Sequence, residues 1–453
     1  MAMGTRKQRE RQADLWIAAG QIVETPGHAF YERLNELLRA HRFDRRIEHL
    51  CQRFYRGPYG RPSVAPGVYF RLLLVGFFEG LDSERAIAWR VADSLSLRKF
   101  IGYGLDEKTP DHSTISRTRR LFWLATHQAV FRWVLKVLQQ EGLLVGQTIS
   151  IDATTLEANA AMRSIVRRDT GQKYDAYIRT LAQAAGLTEP TREQLARFDR
   201  KRKKKTSNED WEHPQDPDAR VTKMKDGRTH LAHKAEHAVD LETGAIVAVT
   251  LQPADTGDTT TIRRTVTATQ RALRGLGERP AAEIIADKGY HSGELLEALH
   301  AQGLRTYIAE PDRGRRNWQG KEAQQQRVYA NRRRLRGARS KRLQRKRCEL
   351  TERTFAHLYE TGGMRRLHLR GSTNILKRLV VHGAGFNLSL VMRQRHGVGK
   401  PRVAQGHHSA VFGRFTVLIG LLAALPGAIC EIRRRFHDDA ALAIRPMVSL
   451  AAA

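Results

Sequence analysis

From residue 143 to 393 the hydrophobic pattern changes period in a set order: strand, hairpin, helix, strand, helix, strand, helix. LLVGQTISID (143–152) reads as a strand ending at Asp152. THLAHKAEHAVDL and AIVAVTLQPAD read as a hairpin turning at Glu242-Thr243-Gly244. A helix over 259–276 follows, then the buried strand AEIIAD (282–287), the helix SGELLEALHAQ and the strand RTYIAE (305–310). Two more helices, CELTERTFAHLY (348–359) and ILKRLVVHGAGFNLSLVMR, close the series near 393. A hairpin followed by strands separated by helices calls for an α/β fold, a mixed sheet flanked by helices.

Upstream, residues 26–140 read as an all-α domain: Phe30, Leu34, Leu37 and Leu38 share one helical face, and Pro110-Asp111 opens a short helix carrying Arg117, Arg119 and Arg120. This helix is either a DNA reader of helix-turn-helix type or part of an ordinary bundle with solvated arginines. Residues 1–25 form a basic N-terminal arm, 163–227 a polar, loop-rich insertion in the 141–393 domain, and 394–453 a linker, an apolar helix (415–430) and a tail.

Charge narrows the partner. The chain has 78 Lys+Arg against 47 Asp+Glu, a net charge of +31, which points to a polyanion, with nucleic acid ahead of an anionic membrane. The apolar runs 68–81 and 415–430 are too short or too interrupted to span a bilayer, which requires about 20 residues, so no membrane partner is expected. Cys51, Cys348 and Cys430 form no CxxC pair, which fits a reducing cytoplasm and, with DNA as partner, association with the nucleoid.

Against this basic background, Asp152 and Asp287 each close a strand, and Glu352 lies on a later helix. Side chains at strand ends of α/β sheets face the ligand crevice. Three carboxylates meeting there suit Mg²⁺ (or Mn²⁺), and such ions activate a hydroxyl and stabilise a leaving oxygen in phosphodiester chemistry. The bland alternatives are an Asp152 capping a helix at Thr154-Thr155, an Asp287 in a D-K-G turn, and a solvent-facing Glu352.

DATTLEAN, ADKGYHS, TERTFAHLYETGGMRRLHLRG and FNLSL, in this order, resemble the motifs of bacterial insertion-sequence transposases with a DDE catalytic domain. FYERLNELLRAHRF and KTPDHSTISRTR resemble the helical domain that precedes it, so the resemblance runs from about 26 to 393. It implies a ribonuclease-H-like fold with Asp152, Asp287 and Glu352 as catalytic, metal-binding acids. It also implies binding of terminal inverted repeats, cleavage and transfer to target DNA, and a homodimer on paired ends. Two departures stand out. Where relatives carry a lysine seven residues after the last acid, this chain has Tyr359, and Glu349 competes with Glu352 for the third role. A DNA-binding protein without catalysis, and a metal-dependent nuclease without strand transfer, are the alternative functions.

Residues 313–347 hold 15 Lys/Arg and a single acid, Glu322, so a DNA clamp between the second and third acids is expected. Arg313, Arg315, Arg316, Lys321 and Arg353 are its candidate contacts, with Trp318 a candidate platform for an unpaired base. His230, His233 and His237 read as satisfied strand histidines rather than a zinc site, with Lys234 as a possible phosphate contact.

Overall fold

The structure is a computed structural model that describes residues 28–55, 57, 63–202, 207–224, 227–312, 314 and 316–402. The described residues up to Gly399 form one unit. The expected N-terminal arm and the apolar helix at 415–430 lie outside the described residues.

The helical region comprises α1 (Ala29–Ala40), α2 (Phe43–Cys51), α3 (Pro66–Glu79), α4 (Glu84–Ala92), α5 (Leu95–Ile101), α6 (His112–Leu121) and α7 (Leu124–Gln140). Helix α3 is buried along almost its whole length because nearly every side chain is apolar. The exception, Arg71, is 1% exposed; its guanidinium donates to Asp44 Oδ2 at 3.0 Å and to Asn35 Oδ1 at 3.3 Å, so the buried charge is paired. Ser83, Ser94 and Asp111 cap α4, α5 and α6 by accepting backbone N–H bonds.

The second region begins with β1 (Thr148–Glu157), followed by β2 (Val166–Arg167), α8 (Tyr174–Ala184), α9 (Arg192–Lys201), β3 (Trp211–Glu212), β4 (Arg220–Lys223), β5 (Thr229–Asp240) and β6 (Ile246–Pro253). It continues with α10 (Asp258–Arg274), β7 (Glu283–Ala286), α11 (Gly293–Ala301), β8 (Arg305–Ile308), α12 (Glu322–Leu335), α13 (Ala338–Phe355) and α14 (Ser372–His396). The main sheet runs β4-β5-β1-β7-β8, with β6 also on β5. Pairing is antiparallel from β1 through β5 to β4 and β6, and parallel from β1 through β7 to β8. This is the mixed sheet flanked by helices that the pattern predicts.

Three local readings change. Strand β1 does not end at Asp152 but continues to Glu157, held by antiparallel pairing with β5 as far as Glu157↔Ala232. The described residues of 163–227 are largely folded, with Trp211 packed against Tyr174 and Tyr177 at 5.1 and 5.2 Å between ring centroids in one cluster with Ile165 and Leu231. The partners are scattered along a polar sequence, so no periodicity announces that small core. Most of the basic stretch 313–347 coils into α12 and the first half of α13.

Helix α14 joins the two regions, packing against α3, α7 and β6. It is long and apolar enough to cross a membrane, yet its apolar span is wholly buried inside the protein. Asn387 in its middle accepts from the Ile246 N–H at 2.9 Å and donates to the Ile246 carbonyl at 2.8 Å, tying it to β6.

Candidate active site

The register of β1 sets the site. Its parallel pairing with β7 ends at Ile151↔Ala286, so Asp152 and Asp287 follow as neighbours where β7 stops. Asp287 leaves the sheet because β7 is short, while β1 runs on past Asp152. Asp152 therefore caps no helix; its Oδ1 accepts only its neighbour's N–H, from Ala153 at 2.8 Å.

Asp287 is followed by a single 3₁₀ turn, Lys288–Tyr290, which the D-K-G sequence favours. Tyr290 anchors this turn by donating its hydroxyl to Glu236 Oε1 at 2.9 Å. Gly289 leaves room for Asp258: a Cβ at that position would lie 2.8 Å from the Asp258 carboxylate.

Arg347, on α13, joins the two acids. It donates from Nη1 to Asp152 Oδ2 at 3.0 Å, and its Nη2 lies 3.9 Å from Asp287 Oδ1. Burial pushes the Asp152 carboxyl above its usual range; Asp287 and Asp258 push the same way, while the Ala153 N–H and Arg347 oppose them. A positive charge is thus what this pair of carboxylates lacks, and a guanidinium supplies it here.

Helix α13 is seated over the pair by polar contacts. Thr351 donates to Ser150 Oγ at 2.8 Å. Thr354 donates to the Thr351 carbonyl at 2.8 Å, so it accepts from His237 Nδ1–H at 2.9 Å, which leaves His237 Nε2 to accept from the Tyr359 hydroxyl. Burial holds His237 down to about 3, so this ring is neutral. Tyr359, at the position where the resemblance leads one to expect a lysine, is fully buried, with its ring packed on Phe355 and His237.

Glu352 follows Thr351 on α13 and is exposed, with no polar contact to either aspartate among the described residues. Glu349 is also exposed and accepts from Arg353 at 2.7 Å. Among the described residues, no group of three His, Cys, Asp or Glu side chains converges as a metal cage. The structure brings Asp152 and Asp287 together and leaves Glu352 on the outer flank of the helix.

Asp258 and Arg347 join the site beyond the three acids that the sequence singled out. Asp258 opens α10, pairs with Lys234 and lies close enough to raise Asp152. Its position at the start of a helix after a strand was the available signal. Arg347 was hidden within a basic run, and only its spacing of four from Thr351 marks it as facing inward. Lys234 itself is buried and committed to Asp258 and the Thr256 carbonyl, so it is not a phosphate contact. His233 is buried against Asp216 at 3.1 Å, a satisfied strand histidine as expected.

The expected DNA contacts divide. Arg117 and Arg120 are exposed on α6, but Arg119 is buried and donates to Glu84 Oε1 at 2.7 Å, a structural pairing. Arg316 pairs with Glu310 at 2.8 Å beneath the half-buried Trp318, whose ring tilts against Tyr329. Lys321 is exposed and Arg353 is tied to Glu349; Arg313 and Arg315 lie outside the described residues.

Two family models match the chain: a transposase domain (DUF772) over residues 19–121 and a transposase DDE domain over 147–382. The DDE match carries a ribonuclease-H-like fold, in agreement with the mixed sheet and its flanking helices. No curated protein and no solved structure matches the chain.

Proposed function

Because the chain belongs to the transposase DDE domain family, we propose that it binds the terminal inverted repeats of an insertion sequence and catalyses metal-dependent DNA cleavage and strand transfer into target DNA. DNA is the partner that a transposase implies, and the family uses divalent metal ions. The observation that carries the finer reading is the side-by-side placement of Asp152 and Asp287 at the open end of β7.

The donor set fits a divalent ion. Mg²⁺ is commonly held by one or two carboxylates with waters and substrate phosphates completing its shell. Asp152 and Asp287 would hold it; Glu352, the third acid in preference to Glu349, is exposed on α13 and would have to turn inward to join them. When bound, Mg²⁺ (or Mn²⁺) supplies a more acidic attacking hydroxyl and stabilises the leaving oxygen of the phosphodiester.

The protein's own residues prepare that chemistry. Arg347 screens the two aspartates from each other, and for both to face a metal ion its side chain has to give way. The Thr354–His237–Tyr359 chain fixes α13 over the sheet without offering a titrating group. Water attack frees a 3′-hydroxyl at the element end; that hydroxyl then attacks a target phosphodiester, and one bond is exchanged for another without a covalent enzyme intermediate. Two copies of the chain would be needed to hold the two ends.

The test is a cleavage and joining assay on DNA carrying the element's ends, with Mg²⁺, comparing the wild type with Asp152→Ala. Cleavage and joining by the wild type, with binding but no cleavage by the variant, supports the reading. Cleavage without joined product identifies a nuclease. Equal cleavage by the two proteins removes Asp152 from the chemistry, and cleavage by neither leaves a DNA-binding protein.

A further inference from the structure

The helical region contains a groove that the acid site does not use. It has a volume of about 1110 Å³ and lies between the α1–α2 corner, α7 and the Gly275-Leu276 turn after α10. Arg42, Arg45 and Arg46 line one wall and Arg132 and Lys136 the other; all five are exposed, and no acid lines the groove. Of the nearby carboxylates, Asp44 pairs with Arg71 and Glu278 accepts from Gln139 at 2.7 Å, while Glu141 pairs with Arg395 and lies 3.8 Å from the groove residue His41. Five permanent charges on a concave, low-dielectric wall focus a positive potential that surface lysines scattered on a convex face would not.

The backbone adds an independent observation. Arg42 sits at φ 53°, the single non-glycine residue in the left-handed region among the described residues. That conformation disfavours side chains with a Cβ, and glycine or asparagine would occupy it at lower cost. The strain is retained by a residue whose charge joins those of Arg45 and Arg46. Trp133, which packs on Phe43 at 5.0 Å between ring centroids, lines the groove among these cations. Five cations and no acid suit the groove to phosphates.

We propose that this groove is a second DNA-binding surface that grips the phosphate backbone of a duplex irrespective of sequence, separate from the exposed arginines of α6. The inference rests on the reading that DNA is the partner.

The experiment measures binding of the full chain to a labelled random-sequence duplex as a function of salt, without divalent metal. The variants are Arg45→Gln/Arg46→Gln/Lys136→Gln, Arg42→Gly, Arg117→Gln/Arg120→Gln and the control Arg85→Gln, each checked by thermal melting. Each lost phosphate contact lowers the slope of log K against log salt by about 0.9. The triple variant is expected to bind at least about tenfold more weakly at 0.1 M salt, with a slope shallower by roughly 2.7, while Arg85→Gln matches the wild type. Arg42→Gly is expected to flatten the slope by about 0.9 with no loss of melting temperature, since glycine relieves the strain. Wild-type affinity and slope in the triple variant would overturn the groove; if the α6 variant alone then loses binding, the DNA reading survives and the surface is α6. Absence of duplex binding by the wild type at low salt would sink both readings.

Discussion

Two acids one register step apart on the central strands have opposite fates. Asp152 pairs in register with His237 on the face covered by α13, and Glu236, opposite Ala153, points to the face covered by α10. Burial raises both carboxyls. Glu236 is 0% exposed, and its oxygens accept hydroxyls from Thr261 and Tyr290, both at 2.9 Å, and from Thr265. Asp152 has one local N–H and one arginine and remains 22% exposed. Burial alone does not mark a site. What distinguishes Asp152 is an incomplete hydrogen-bond shell beside the end of β7, balanced by the Arg347 guanidinium.

The largest expected effect breaks the comparison at its chemical end. Asp152→Asn and Asp287→Asn should each lower end cleavage by at least roughly 10³-fold, while DNA binding in a gel-shift assay persists. The same Asp152→Asn protein should melt at a higher temperature than the wild type at pH 7. A raised carboxyl favours the fold only below its unfolded value near 4 and loses that contribution as pH rises through the folded value, so removing the charge relieves a cost. Glu236→Ala should show the reverse pattern. Three hydroxyls lose a buried acceptor, and urea unfolding should report a loss of roughly 3 kcal/mol or more, a stability defect rather than a specific block of cleavage.

The third acid sharpens the comparison. Glu352→Gln is expected to abolish cleavage with unchanged melting, whereas Glu349→Gln, which loses only an exposed pair with Arg353, should stay near wild-type activity. Equal activity of these two variants would remove Glu352 from the chemistry. Arg347→Ala should tighten Mg²⁺ binding by up to about fivefold, measured by calorimetry, because a competing cation has gone.

Near neutral pH the smallest effects come from two buried histidines. His127 and His237 are both buried and held down to about 3. A depressed histidine costs the fold nothing while neutral, but below about 6.5 the unfolded chain binds protons that the native state refuses. Stability should therefore fall as pH drops from about 6.5 towards 3, by up to about 1.4 kcal/mol per pH unit for each histidine. Urea titrations at stepped pH would show it, and Tyr359→Phe should add a pH-independent loss of about 1 kcal/mol by removing the donor to His237.

Element types were largely legible because period and caps are local signals. Asp111 capping α6 and the hairpin turn at Gly244, whose φ is 79°, follow from residues within a few positions of each other. The small core around Trp211 was not legible, because its partners come from distant parts of a polar stretch. The arginines of α6 looked alike in sequence, yet Arg119 is buried against Glu84 while Arg117 and Arg120 are exposed. Helical phase relative to the neighbouring helix α4 decided that, and phase is a property of packing.

Sequence alone determined that a basic chain carries a helical region, a mixed sheet and two strand-borne aspartates. Composition, periodicity and motif order depend on short-range chemistry. Tertiary structure decided which charges meet. It ended β7 beside Asp152, brought Arg347 from 195 residues away onto that carboxylate, set Asp258 at the margin and left Glu352 outside. Those outcomes depend on strand register and on how a helix crosses a sheet, quantities fixed by the packing of the whole core.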